Sequence, residues 1–259
     1  MIYLTEDDIK WKGVDYYISL KKKWNDDKYG IPWKKYASKP SVGSMVSLCD
    51  KWNPSSYEDF YYIYTGWGAK LNVYNKIDRG RTVDELEEIA IRWRNDANDF
   101  ETPLSEYFDA IILHTVVETY VGKDFENKAI DMLNDNGFTT KHGTQDEDSD
   151  MNIDFKIYKD GELKSLVQVK PISFIISNRK HTREDRINVF EKHKKGWKKY
   201  PGIPYIYLIY DASTLKWVYN EKENRCAFAY EDLVNLDGSP IISAYQLRKC
   251  ETDNLFNKN

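Results

Sequence analysis

Two runs of β-forming residues flank Asp160-Gly161, and this arrangement constrains the fold more than any other stretch of the chain. Asn152 to Lys159 reads Asn-Ile-Asp-Phe-Lys-Ile-Tyr-Lys, and Glu162 to Lys170 reads Glu-Leu-Lys-Ser-Leu-Val-Gln-Val-Lys. An Asp-Gly pair between such runs is the strongest short-range signal for a β-hairpin. Counting equal distances from the turn brings Asp154 across from the Val167-Gln168 step, within cross-strand reach of Gln168. Side chains alternate between faces with period two, so Ile153, Phe155 and Ile157 are predicted on one face with Val167 and Val169. Asp154, Gln168 and Lys170 are left on the other. An acid, an amide oxygen and an ammonium on one sheet face suit a divalent cation held beside a water and a phosphate.

The text around the hairpin predicts its setting. Residues 1–101 are crowded with aromatics, including Trp11, Trp24, Trp52, Trp67 and Trp93, and read as a separate, mostly helical region. Thr82 to Asn95 carries Val83, Leu86, Ile89 and Trp93 at helical spacing behind a Thr cap. Residues 102–259 read as the core with a C-terminal extension. Thr102 as N-cap and Pro103 at the first helical position open a helix to about Val121, and a second is expected from Asp124 to Asn134 after Gly122. The inward stripe of that second helix is Phe125, Ala129, Met132 and Leu133, with the Glu126 carboxylate at its edge.

A polar loop, Lys141 to Asp150, precedes the hairpin, and the second arm is expected to extend through Ile172 to Ser177. A helix from Thr182 to Tyr200 follows, with Ile187, Phe190 and Trp197 inward. Pro204 to Tyr210 is a nearly continuous apolar strand of the kind buried in mid-sheet, and shorter strands are expected at Leu215 to Tyr219 and Ala227 to Tyr230. The predicted order is helix, strand, strand, helix, strand. It describes an α+β chain with a mixed central sheet flanked by helices.

That order, with Asp154 on the first arm and Val167-Gln168-Val169-Lys170 closing the second, resembles the core of the PD-(D/E)XK nuclease superfamily over roughly residues 122–211. The Gln before x-Lys is similar to the variant of the Mrr-type nucleases, and Val167 to Pro171 resembles the MjaI-like type II restriction endonucleases. The resemblance implies a restriction-endonuclease-like core that hydrolyses double-stranded DNA with Mg2+. It makes Asp154 the first metal ligand, Lys170 the group that orients or activates water, and Glu126 the helix carboxylate. Where the superfamily has an acid this chain has Gln168, whose amide oxygen would be a neutral ligand beside the Val169 carbonyl. Mg2+ prefers charged oxygens, so Glu126 or Asp150 is left to compensate. A restriction enzyme cutting both strands of a palindrome is expected to be a homodimer and to work beside a DNA methyltransferase.

The net charge of −4 hides a local asymmetry: residues 179–199 hold nine Lys or Arg against three acids, while Asp146, Glu147, Asp148 and Asp150 form an acidic knot just upstream. Arg179, Lys180, Arg183, Lys194, Lys195 and Lys198 are the candidate phosphate contacts. Two solvated charge runs would read the same way. The knot imitates a calcium loop but has Met151 where that loop needs glycine. Cys49, Cys226 and Cys250 are too widely spaced for a zinc site, and His114, His142, His181 and His193 lack ligand spacing. The first residues lack a basic and apolar leader, so a cytoplasmic location is expected. A structure-specific nuclease of the resolvase kind, a silent DNA-binding module and a merely solvated hairpin all remain open.

Overall fold

A computed structural model describes residues 4–26, 45–67, 80–177, 180–220, 225–235, 237–241 and 248–249. They fall into two compact units, Met1–Val121 and Gly122–Asn259. In the first, the described elements are helices: α1 (Val14–Asp26), α2 (Met45–Trp52), α3 (Tyr57–Thr65), α4 (Val83–Asp96), α5 (Leu104–Ile112) and a π turn (Leu113–Val117) leading into α6 (Glu118–Asp135). The Thr82 hydroxyl accepts from the Glu85 N–H while Glu85 reaches back to the Thr82 N–H, so α4 begins with a complete capping box. Its predicted stripe of Val83, Leu86, Ile89 and Trp93 is buried. Tyr17, Phe60, Tyr61, Tyr64, Tyr107 and Phe108 are wholly enclosed in the same core, which removes these rings from any stacking on bases.

The stretch from Thr102 to Asp135 differs from the expected pair of helices. Pro103, not Thr102, occupies the cap position, and it offers no side-chain bond. No break follows Gly122. Glycine within a helix costs about 1 kcal/mol relative to alanine but does not end it, and the chain stays helical to Asp135. The irregularity sits earlier, at the π turn, which rephases the helix. The boundary between the two units therefore lies inside α6.

The second unit is an α+β structure with a mixed central sheet flanked by helices. Its elements are β1 (Thr139–His142), α7 (Gln145–Met151), β2 (Phe155–Lys159), β3 (Glu162–Pro171), α8 (Ile172–Ile176), α9 (Lys180–Lys199), β4 (Tyr205–Asp211), β5 (Lys216–Tyr219), β6 (Ala227–Ala229), α10 (Tyr230–Leu233) and β7 (Arg248–Lys249). The sheet order is β1-β2-β3-β4-β5-β7, with β6 also on β4. β1, β2 and β3 run antiparallel, whereas β3 and β4 are parallel, joined through α8 and α9. The mid-sheet strand is where the apolar run predicted it. Two expectations need correction: the supposed loop 141–150 contains the end of β1 and the helix α7, and residues 172–176 turn into helix α8 directly after Pro171 instead of extending the strand. Thr144 and Glu147 form a capping box that starts α7, a signature hidden by the run of acids.

Both faces of the sheet are covered, and alternation along β4 divides the work. Tyr210 stacks on Phe125 of α6 at 4.4 Å, and Trp217 meets the same ring edge-on. Tyr205 and Tyr207 face α9, where His193 stacks on Tyr205 at 4.0 Å and its Nε2 lies 2.8 Å from the Tyr207 hydroxyl. The inward stripe of α9 is thus not Ile187, Phe190 and Trp197. Ile187 is 38% exposed, the two rings flank the contact, and the buried positions are Arg186, Val189, His193 and Gly196. Arg186 is completely enclosed because its guanidinium donates to the carbonyls of Phe174, Ile175, Ser177 and Gly238. A periodicity count that looks only for apolar residues misses such a face.

Arg179, Cys250 and the residues that follow it lie outside the described residues. Cys49 and Cys226 are buried. Among the described residues no helix is long and apolar enough to cross a membrane.

Gly196 tests the seating of α9 on the sheet, since a Cβ there would overlap the Tyr205 hydroxyl, which donates to the Met151 carbonyl. Helix propensity favours Gly196→Ala by about 1 kcal/mol, but overpacking costs about 1–3 kcal/mol. Net destabilisation in urea unfolding is expected, with partial recovery in a Tyr205→Phe background.

Candidate active site

The hairpin forms about Asp160 and Gly161, both at positive φ (53° and 79°), with Lys159 opposite Glu162. It is not a plain hairpin. Tyr158 pairs with Leu163 but Ile157 pairs with Ser165, so Lys164 is an extra residue on the second arm. A strict count from the turn would set Asp154 opposite Val167. The bulge advances the register by one, places Phe155 opposite Val167, and leaves Asp154 and Gln168 as the next residues outward. Pairing with β3 begins only at Phe155, which frees Ile153 from the predicted alternation. It packs with Leu166 and Tyr205 instead.

Three hydrogen bonds tie the two arms together here. The Asp154 N–H donates to the Val167 carbonyl at 2.9 Å. Gln168 Nε2 donates to Asp154 Oδ1 at 2.5 Å, and the Val169 N–H donates to Oδ2 at 2.6 Å. Val169 thus enters the site through its N–H, which donates to the carboxylate, rather than through the carbonyl expected as a ligand. Gln168 has no exposed surface, and its Oε1 is buried with no hydrogen-bond partner among the described residues. An acceptor left so costs about 1–3 kcal/mol unless a water or a cation meets it.

Glu126 arrives from α6. Its neighbour Phe125 stacks on Tyr210, which is the register partner of Pro171, the residue after Lys170. This seats Glu126 near the C-terminal ends of the parallel strands β3 and β4, where open α/β sheets place their ligand crevices. Burial, then the Asp154 carboxylate, push the Glu126 carboxyl up to about 8, against the pull of Lys123 and Lys170. The Asp154 carboxyl is also raised, by burial first, with Lys170, the Val169 N–H and the Gln168 amide opposing it. Both acids are therefore short of positive charge, and Lys170 acts on each. Asp148 adds further repulsion to both.

The charged segments around this centre divide into structural and exposed members. Glu147, almost wholly buried, accepts from Lys156 Nζ at 2.6 Å, Lys199 Nζ at 2.8 Å and the Tyr200 hydroxyl. Burial raises this carboxyl, but its donors outweigh burial and hold it far below the usual carboxylate range. Among the candidate phosphate contacts, Arg183 is tied to Asp237 through its Nε and guanidinium, Lys194 lies 2.6 Å from Glu191, and Lys180 is 3.8 Å from Glu184. Lys195 and Lys198 are exposed and make no ion pair among the described residues. His193 is enclosed, and burial followed by the Lys170 charge lowers it to about 3, so it is neutral near pH 7. The reading of the sequence missed the distinct roles of Glu147, Asp148, Arg186 and His193. Only the Thr144/Glu147 capping-box spacing carried an advance signal.

A divalent cation is tested by the donor set. Asp154, Glu126 and the orphaned Gln168 oxygen are all oxygen donors, the type that Mg2+ takes, and two repelling carboxyls are what a cation neutralises. Among the described residues, however, no group of three or more His, Cys, Asp or Glu side chains is assembled to hold one ion. Two carboxyls and one amide are the oxygen donors the described residues offer here. Compared with protein-family models, characterised proteins and solved structures, the chain matches none.

The raised carboxyl has a stability consequence. Folding favours protonated Glu126, so its stabilisation is full below the ordinary value of 4.5 and is lost as pH rises through about 8. The melting temperature is expected to fall over that window, more steeply than in Glu126→Gln, and saturating Mg2+ should flatten the difference. Parallel pH profiles for the two proteins would remove the account of Glu126.

Proposed function

We propose that this chain is a Mg2+-dependent endonuclease that hydrolyses phosphodiester bonds in double-stranded DNA, built on a restriction-endonuclease-like core. The observation that carries the reading is the pair of repelling carboxyls, Asp154 and Glu126, with Lys170 acting on both and Gln168 hydrogen-bonded to the first. The order α6, β2, β3, α9, β4, with β3 and β4 parallel, also supports it. A sequence-specific type II restriction endonuclease is the preferred form, acting as a homodimer in the cytoplasm with a companion DNA methyltransferase.

Asp154 and Glu126 would hold the cation, with Gln168 Oε1 as a neutral donor. When bound, Mg2+ supplies positive charge for the phosphate oxygens and for the developing charge of the attacking water. The protein's own groups do the rest. The Val169 N–H and Gln168 Nε2 fix the Asp154 carboxylate in one orientation. Lys170 Nζ donates to the water and to a non-bridging oxygen, which orients the nucleophile. Glu126, protonated when alone, gives up its proton at the carboxyl when a cation compensates its charge. Lys195 and Lys198 on α9, exposed and without an ion pair among the described residues, are the candidates to bind backbone phosphates, and Lys180 and Lys194 would exchange acids for phosphate.

A silent DNA-binding module has one observation in its favour: each oxygen of Asp154 already accepts a protein N–H. Each retains a second lone pair, so this does not close the site. Cleavage of plasmid DNA with Mg2+ separates the readings: discrete fragments support sequence-specific cutting, smearing a less specific nuclease, and intact DNA the silent module. Lys170→Ala is expected to lower cleavage by about a hundredfold or more while DNA binding persists. Cleavage by that variant at the unsubstituted rate would exclude Lys170 from the chemistry.

A further inference from the structure

One flank of α9 meets the segment after β6 across a cavity of about 220 Å3, lined by Phe190, Tyr230, Glu231, Val234, Asn235 and Ile241. The far wall is fastened by its own backbone and by two arginines of α9. The Ile241 N–H donates to the Leu233 carbonyl at 2.9 Å, and the Asn235 N–H donates to the Ser239 carbonyl at 2.9 Å. Arg186 Nε donates to the Gly238 carbonyl at 2.7 Å, and Arg183 grips Asp237. The walls are therefore built without a ligand, and Ile241, 47% exposed, stands at the mouth. Sites for drug-sized ligands measure roughly 300–1,000 Å3, so this smaller one suits a single ring system rather than a whole cofactor.

The lining sorts by chemistry. Phe190, Val234 and Ile241 offer apolar surface, and the Tyr230 hydroxyl already donates to the Arg186 carbonyl at 2.7 Å, which leaves only its ring. The two polar members are acceptors. Glu231 makes no hydrogen bond or ion pair among the described residues. Asn235 Nδ2 donates to Ser239 Oγ at 3.0 Å, which orients the amide and leaves its Oδ1 to accept. Positive charge lies beside them: Lys194 Nζ sits over the Phe190 ring at 5.0 Å, and exposed Lys198 follows one turn later on the same flank of α9. Lys194 is paired with Glu191, but both side chains are about half exposed (49% and 58%), and such a pair is worth little against a phosphate. An organic cation would suit Glu231 and be repelled by Lys194. A flat ring with N–H donors and an attached anion suits both.

We propose that this cavity binds an unstacked nucleobase bearing an exocyclic amino group, in a single-stranded stretch of nucleic acid, with Lys194 and Lys198 on the adjoining phosphates. The amino group donates to Glu231 and to Asn235 Oδ1, and the ring is buried against Phe190, Tyr230 and Ile241. Cytosine, adenine and guanine carry such a group, whereas thymine and uracil do not. Ring burial beside a track of lysines is the general chemistry by which single strands are held. The site uses none of Asp154, Gln168 and Glu126, so it goes beyond the cleavage reading and needs no cation.

The probes are short labelled oligodeoxycytidylate and oligodeoxyuridylate, whose bases differ in the amino or oxo group at C4 and the proton on N3. Fluorescence anisotropy with the full chain in EDTA is expected to show the cytidylate bound about fivefold or more tightly. Glu231→Ala combined with Asn235→Ala should abolish that difference, and Ile241→Glu should weaken both oligonucleotides about fivefold or more. All three positions are exposed, so the fold is expected to persist, with thermal unfolding as the check. Equal affinity for the two probes, a preference that survives the double variant, or no binding of either overturns the assignment. A concentration-dependent dimer broken by Ile241→Glu, without oligonucleotide binding, would give this face to a second copy of the chain. If the cytidylate is not bound but Mg2+-dependent cleavage of plasmid proceeds, this inference alone falls. If the preference holds while plasmid stays intact, the cleavage reading falls and this site stands.

Discussion

A single extra residue in one arm of a hairpin decides which side chains meet. Side chains in a strand alternate with period two, so a slip of one residue exchanges the faces. With Lys164 bulged out, Asp154 reaches Gln168 and the Val169 N–H; a regular hairpin about the same turn would offer it Val167. The bulge lies at some distance from the residues it aligns, and its effect is geometric. Asp160-Gly161 sets the turn, Lys164 corrects the register, and the β3–β4 pairing carries Gln168 and Lys170 beside Tyr207 and Ile209.

The aligned residues then pose a charge problem that the rest of the unit leaves open. Several other buried polar groups of the unit are met within the protein, although His193 Nδ1 is buried with no hydrogen-bond partner among the described residues. Glu147 has three side-chain donors, Arg186 has four carbonyls, and His193 is neutral with Tyr207 at its Nε2. At Asp154 and Glu126 two carboxyls repel each other, and a buried amide oxygen lacks a partner among the described residues. Acids whose charge the surrounding protein leaves uncompensated are candidates for chemistry, while an acid met by three donors, as Glu147 is, is scaffolding.

Much of the fold was legible because its signals are local. Asp-Gly with flanking β-branched residues marked the hairpin, the apolar run at 204–210 marked the central strand, and the Thr82 cap marked α4. What escaped depended on tertiary contacts or on polar residues doing apolar work. Gly122 looked like a helix end because propensity does not see the Tyr210 ring system against which α6 packs. The inward face of α9 was misassigned because Arg186 and His193 occupy it. The acidic run looked like a loop because four charges masked the Thr144 cap and the Lys156 and Lys199 partners of Glu147. For the site, Asp154 and Gln168 meet as anticipated, though the amide nitrogen rather than the oxygen makes the contact.

The claim on which the functional reading turns is that a divalent cation belongs between Asp154 and Glu126. Anomalous scattering from a crystal soaked in Mn2+ tests it without reference to activity or to DNA sequence. The account predicts a Mn2+ peak within coordinating distance of both carboxylates, with the Gln168 amide oxygen turned toward it. A saturated crystal with no peak there, or with Mn2+ bound only elsewhere on the chain, would contradict it.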